Sequence, residues 1–465
     1  MLSINKQEIY PTIIKNLNVL LLLFFIISCQ SDDDITLPIE DPLNGFWLSA
    51  EKGYIMEFTD GKDILYNINT AGCAIQEDDF MLEDFELLQV SENEIIATSA
   101  LSDSEVKLTR LTNQNPLCLP DQIAVTEDPK VNFDHFWNIF NDYYAFFEAR
   151  NVDWSKYESL RDQVTTENFY DILEELVLLL EDGHVSIIDE DNNIQIESGT
   201  PRILERLNSN LSGDLLIENV EDYVDLGNEK LITIVSDYLN GSFEIDERDN
   251  ILWGLINEDI GYINIIGMEG YGTDFNNELS SLNEILDTIM DDLESSGVSK
   301  LIIDIRFNSG GIDTVALDIV SRFMDQERVS YFKKARLGNS FTENKSFSVA
   351  PKGNFQFTED IILLTSPASI SAAELFALCM KDLPYVTIVG EHTAGAFSTI
   401  LTHTLPNGAE VGVSNEIYSD AQGEVFEIVG IGPENPENQI PFFSTLDFQE
   451  GKDSGIDRAV ELLQN

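Results

Sequence analysis

Four short stretches of this 465-residue chain carry residue types that could do nucleophilic chemistry. The first is LEDGHVSI, residues 180–187, where a helical apolar pattern ends at Asp182-Gly183 and delivers His184 just before a strand-like run. Gly183 would allow the positive φ of a helix C-cap and so fix the direction of His184; a histidine that simply favours a helix C-terminus is the competing reading. The second is KLIIDIRFNSGG, residues 300–311, a buried strand running into Gly310 and Gly311. Glycines there let backbone N–H groups approach a ligand with no Cβ in the way, which suits an oxyanion hole, but a plain strand-to-helix turn would use them too. In the third, LLTSPASISAAELFALCM, residues 363–380, a strand ends near Ser366 and a helix begins at Ser371. Free N–H groups and the helix dipole at that point stabilise an alkoxide or oxyanion. The same residues form a capping box, with Ser371 at the N-cap and Glu374 three later. The fourth, VGEHTAGAFST at 389–399 with GEVFEIVGIGPENP at 423–436, signals nothing specific alone.

The elements that must hold these residues fall into regions. Residues 43–125 alternate short apolar runs with turn signals, which reads as a small antiparallel β module without chemistry of its own. Residues 126–188 turn helical and aromatic, with Phe133, Phe136, Trp137, Phe140, Tyr143, Tyr144 and Phe147 at three- and four-residue spacings, a core stripe. Residues 189–250 are polar and turn-rich, and residues 251–465 alternate strands with helices, which argues for an α/β core.

Charge and cysteines bound the partners and the compartment. Lys and Arg number 26 against 84 Asp and Glu, a net charge of −58, so a nucleic-acid backbone would be repelled. Lys6 and Lys15 precede the apolar run Val19 to Ile27, too short to span a bilayer and suited to a signal h-region, so residues 1–28 read as a leader. The run ends in Ile26-Ile27-Ser28-Cys29, which resembles a bacterial lipobox; Cys29 would then be lipidated and anchor the chain to a membrane. Residues 29–42 would be an acidic tether, similar to the tract that sends some Bacteroidetes-type lipoproteins to the outer surface. An oxidising compartment permits one disulfide, and Cys73 with Cys118 is the candidate pair because both sit in one region. Cys379 lies in an apolar helical pattern and reads as a buried small hydrophobe.

The order DGH, DIRxNxGG, SAAE, GExTxG, FExxGIxP and finally Gly451-Lys452-Asp453 resembles the tail-specific, or C-terminal processing, serine peptidases. The resemblance covers residues 131–465 and leans toward the branch of the tricorn core and the interphotoreceptor retinoid-binding protein repeats. It implies an α/β (α+β) core of crotonase-like type, preceded by the helical segment and the β module. Ser371 aligns with the nucleophile. The processing branch uses a Lys base where this chain has Ala396, so that dyad is absent. The tricorn-like branch uses His and Glu, which carry over to His184 as general base and Glu427 as its orienting partner. Backbone N–H groups of Gly310 or Gly311 and of Ala372 would form the oxyanion hole.

Tricorn itself has a Ser immediately before its His, where this chain has Gly183, so any fourth polar member must come from elsewhere or be dispensable. Asp304 and Arg306 read as architectural, and His392 and His403 as structural. No metal or cofactor is implied. A PDZ domain is an expectation of the family, yet residues 189–250 lack a recognisable carboxylate loop and read as an insertion or a degenerate PDZ-like region. The resulting expectation is a lipid-anchored serine endopeptidase acting on unfolded proteins or oligopeptides in the cell envelope. The alternative is a catalytically silent binder of hydrophobic ligands on the same fold.

Overall fold

Short, largely apolar runs dictate the centre of the fold. IGYINI, KLIID and DIILLT show no polar alternation, and in the computed structural model they are the strands Ile260–Ile265, Lys300–Asp304 and Asp360–Thr365, almost wholly buried. They run parallel, in register Ile260↔Lys300 and Lys300↔Asp360, and Val386–Gly390 extends them in the same sense. Ile251–Leu255 and Phe243–Ile245 add antiparallel strands, so a six-stranded sheet keeps chain order across its width. The structure describes residues 43–59, 63–78, 86–119, 123 and 125–464; the leader, Cys29 and the acidic tether lie outside them.

Helices among the described residues are α1 Pro129–Tyr143, α2 Phe169–Leu178, α3 Thr200–Asn208, α4 Val220–Thr233, α5 Glu278–Ser296, α6 Asp313–Val320, α7 Ala372–Met380, α8 Thr445–Glu450 and α9 Ser454–Gln464. Parallel neighbours need a crossover, and α5 supplies one. Its Leu282, Leu286, Ile289 and Leu293 form a buried stripe at helical spacing, and Gly297 at φ 71° ends it in the left-handed conformation. The α7 sequence AAELFALCM is apolar on every side except for Glu374, and all nine residues are buried.

The aromatic stripe of α1 packs Phe133, Phe136, Phe140 and Tyr143 with Trp154 and with Leu173, Leu176 and Val177 of α2. Past α2, Ser186–Asp189 pairs with both Ile194–Glu197 and Glu410–Ser414, which stitches the helical segment to the C-terminal half. His184 stands just before that junction. The N-terminal region is a seven-stranded antiparallel sheet around Trp47, Met56, Leu65, Ile95 and Leu108, with Cys73 disulfide-bonded to Cys118.

Residues 189–250 differ from the polar, turn-rich expectation. They hold α3 and α4, and their strands join sheets built by other regions. Each helix buries only a narrow face, Leu207 in α3 and Leu226, Lys230 and Leu231 in α4, so its apolar pattern is sparse in the sequence.

Candidate active site

The strand Asp360–Thr365 delivers the chain through a tight turn to Ser371, the N-cap of α7. Ser371 adopts φ 61°, ψ −123°, a conformation open mainly to glycine. Such strain, on the order of 1–3 kcal/mol, persists only where the surroundings enforce it. Here the Ser371 N–H is fixed by the Ala396 carbonyl at 3.2 Å and by Glu374 Oε2 at 3.3 Å. Capping and nucleophile presentation are therefore compatible, since Glu374 caps through the Ser371 backbone.

Glu374 is fully buried and also accepts from Thr393 Oγ1 at 2.6 Å, Gly395 N at 2.7 Å and Ala396 N at 2.8 Å. Burial pushes its pKa up to about 7, against the pull of these donors. The 393–396 loop is locked in turn to the 427–431 segment. Ile428 N donates to Gly395 O, and Ile431 N donates to Thr393 Oγ1, both at 2.8 Å. Arg202 and Arg206 of α3 donate to carbonyls of both loops, at Ile428 and Thr393 among others.

Gly310 needs to be glycine for a steric reason. At φ 96°, a Cβ would lie 2.6 Å from Ser371 Cβ and 2.7 Å from the Ile370 carbonyl. Its N–H is taken by Asn308 Oδ1 at 2.8 Å. Gly311, at φ 138°, bridges Met268 through its neighbours, Met268 N to Gly310 O and Ile312 N to Met268 O. Among the described residues the N–H groups of Gly311 and Ala372 have no acceptor.

Gly183 corrects the sequence reading. Its φ is not positive; α2 ends at Leu178, and Glu181 takes the left-handed conformation at φ 50°. Gly183 is required instead by close approach, since a Cβ would sit 2.9 Å from Ala396 Cβ and from Ile370 Cδ1. The turn before His184 thus abuts the residue before Ser371. The position where the processing branch has Lys is a buried methyl.

His184 is 6% exposed and its Nδ1 has no partner. Burial lowers its pKa, Asp182 opposes that, and Arg150 adds to it. The Asp182 carboxylate accepts from His184 N at 3.0 Å, Ser414 Oγ at 2.9 Å and Tyr144 OH at 2.8 Å. Glu427 accepts from Phe397 N at 2.9 Å and pairs with Arg150 at 2.7 Å. Burial and the Asp182 charge push Glu427 up to about 8, against Arg150. No hydrogen bond among the described residues joins Glu427 to His184 or His184 to Ser371.

Of the remaining sequence-marked residues, Asp304 and Arg306 form a buried two-point pair that reaches Asp453. Cys379 is free and buried in α7. His403 is buried between Tyr54 and Tyr143 and bonds the Lys52 carbonyl. Arg150, Asp182, Asn308 and the loop-holding use of Glu374 were not foreseen. Asp182 and Glu374 lay inside the quoted motifs, but Arg150 had no local signal.

Residues 259–436, which contain Gly310, Gly311, Ser371 and Glu427 but not His184, match the profile of peptidase family S41. A carboxyl-terminal-processing protease of Synechocystis is 26% identical over 172 residues, 37% of this chain and 38% of that protein. The carboxy-terminal processing protease CtpA of Bacillus subtilis is 25% identical over 169 residues, 36% of this chain and 34% of its own length. The chain thus spans under two fifths of these curated relatives. Among solved structures, a candidate peptidase from Parabacteroides merdae superposes with TM-score 0.58 at 23% identity, over 73% of this chain and 98% of that one. Mature CPAF gives 0.51 at 12% identity, over 72% and 96%. The segment that carries Ser371 is thus similar to the S41 peptidase family, and the fold around it is the fold of those solved chains.

Proposed function

We propose that this protein is a serine endopeptidase that hydrolyses unfolded proteins or oligopeptides by an acyl-enzyme mechanism. The observation that carries the reading is Ser371, held in a strained turn at the N-terminus of a buried helix, beside Gly310 and Gly311 and against the turn that bears His184. Ser371 Oγ attacks the scissile carbonyl, His184 takes its proton and returns it to the leaving amine, and the oxyanion rests on the N–H groups of Gly311 and Ala372. Gly311 is the donor of choice because the Gly310 N–H is spent on Asn308. Catalytic hydrogen bonds often tighten only with substrate bound, and the neutral state of a buried His184 suits a general base. Glu427 acts behind the ring, through Arg150 and Asp182.

The lipobox supports attachment to the outside of a membrane through Cys29, and no helix among the described residues is long and apolar enough to cross one. Cys29→Ser should move the protein from the membrane to the soluble fraction. The chain starting after Cys29 should cleave an unfolded protein, read by mass spectrometry, and label with a fluorophosphonate at Ser371. Ser371→Ala and His184→Ala should abolish cleavage while remaining folded. A folded wild type that neither cleaves nor labels would sink the reading.

A further inference from the structure

Arg150 lies outside the segment matching the family, in the FEARN stretch after α1, and its side chain is 5% exposed. One guanidinium joins two distant pieces of chain. Its Nη1 donates to the carbonyls of Leu180 and Glu181 at 2.7 and 3.0 Å, the turn that leads to His184. Its Nη2 donates to Glu427 Oε1 at 2.7 Å and lies 3.3 Å from Asp182 Oδ2. Glu181, at φ 50°, is a residue type that enters the left-handed region at a cost, so its carbonyl is held where the backbone alone would not keep it. Buried and unable to deprotonate, Arg150 is also the only cation that touches both Asp182 and Glu427 among the described residues. It is the counter-charge that the two buried carboxyl groups share, and it offsets part of the rise that burial and the Asp182 charge impose on Glu427.

We propose that Arg150 is the positioning residue of the site: it clamps the His184 turn to the Glu427 segment and holds the Asp182 and Glu427 carboxyl groups together beside that turn. The inference rests on the reading of Ser371 and His184 as nucleophile and base. The charged and polar groups gathered around His184 are Asp182 on its own turn and Arg150 after α1. Tyr144 and Ser414 are bound to Asp182, Glu427 lies across Arg150, and Glu374 lies beyond it. Within this set Arg150 opposes protonation of the ring and Asp182 favours it. Removing the cation therefore raises the pH at which His184 gains its proton. Because the base must be neutral, the acid limb of the rate profile moves to higher pH.

The test uses the chain starting after Cys29 with Arg150→Gln and Arg150→Lys. It measures kcat and KM on fluorescein-labelled denatured casein across pH, together with the His184 titration by ring-nitrogen NMR. Arg150→Gln should lose on the order of 10²-fold in kcat, as a misplaced catalytic group does, with KM nearly unchanged because Arg150 is too buried to meet substrate. Its acid limb and His184 midpoint should both rise. Arg150→Lys, which keeps the charge but not the two-pronged reach, should fall between the two in kcat with the midpoint held. A folded Arg150→Gln with wild-type kcat and an unmoved midpoint would overturn the proposal. If Arg150→Gln does not fold, wild-type kcat in Arg150→Lys overturns it and a loss at constant midpoint supports it. Should the wild type itself show no peptidase activity, that earlier reading fails and the positioning role of Arg150 falls with it.

Discussion

Two of the buried charge clusters among the described residues are finished differently. Behind the sheet, Arg306 gives every guanidinium nitrogen to a carboxylate, with Asp304 taking two contacts and Asp453 one. Lys230 pairs with Asp453 at 3.2 Å and Asp447 at 3.4 Å, and Tyr262 OH donates to Asp304. In front, Arg150, Asp182 and Glu427 make an equally buried set, yet Arg150 Nε and His184 Nδ1 remain without partners. The Arg306 guanidinium is thus fully paired, whereas Arg150 keeps one nitrogen without a partner beside the turn that bears His184.

The largest effect expected from this contrast belongs to the rear cluster. Asp453→Asn removes a carboxylate from two buried cations, and breaking a buried pair costs about 3–5 kcal/mol because the surviving charge is left uncompensated. Thermal unfolding should show that loss, while the rate per folded molecule stays near wild type. Activity that disappears before stability does would break the distinction between the clusters.

Next in size is a purely steric change at the front. Gly310→Ala drives a Cβ into Ser371 and the Ile370 carbonyl, and it displaces the glycine pair from the helix N-terminus. Fluorophosphonate labelling should slow by about 10²–10³-fold, the scale of a lost oxyanion donor. Gly338→Ala is the control: it also has positive φ, at 56°, but open space around it, so it should cost about 1 kcal/mol of stability and leave labelling alone. Equal labelling in both variants would detach the glycine pair from the chemistry.

The same contrast explains what the sequence revealed. Ser371, the glycines and His184 could be read because each depends on a few consecutive residues: a strand end, a turn, a helix start. Strands such as KLIID announced a buried sheet because nothing polar interrupts them. Arg150 could not be read, since its partners lie about 30 and 277 residues away and a lone arginine near an aromatic stripe carries no period or motif. Gly183 was assigned the wrong reason for a related cause. Local pattern suggests a backbone conformation, whereas the real constraint is a neighbour 213 residues away, Ala396. Close approach between distant segments leaves no local trace.

A third buried setting separates burial from charge. His135 and His403 sit under the β module, 3% and 0% exposed, and burial pushes both down to about 4. Since the folded values lie below the unfolded one, folding releases protons as pH falls from about 6.5 toward 4, and stability is lost across that window. Each shift corresponds to about 3 kcal/mol, most of it lost by pH 4.5. Denaturant unfolding at pH 7 and pH 4.5 should show a loss of that order per histidine, and His403→Phe should lose less than wild type. An identical loss in the variant would mean that His403 titrates normally in the folded chain.

The smallest expected effect tests whether the front cluster extends into its supporting loops. Thr393 Oγ1 donates to Glu374 at 2.6 Å and accepts from Ile431 N at 2.8 Å, so one hydroxyl links the carboxylate that caps Ser371 to the segment that carries Glu427. Thr393→Val keeps the shape and deletes both bonds, leaving a buried N–H unsatisfied at a cost of about 1–2 kcal/mol. If Glu374 and Glu427 belong to one rigid frame, labelling of Ser371 should fall by about 3- to 10-fold, in proportion to that loss. It should add nothing further in a variant that already lacks Arg150, because both changes loosen the same segment. Full additivity of the two would instead make the loops a passive support and confine the working cluster to the side chains around His184.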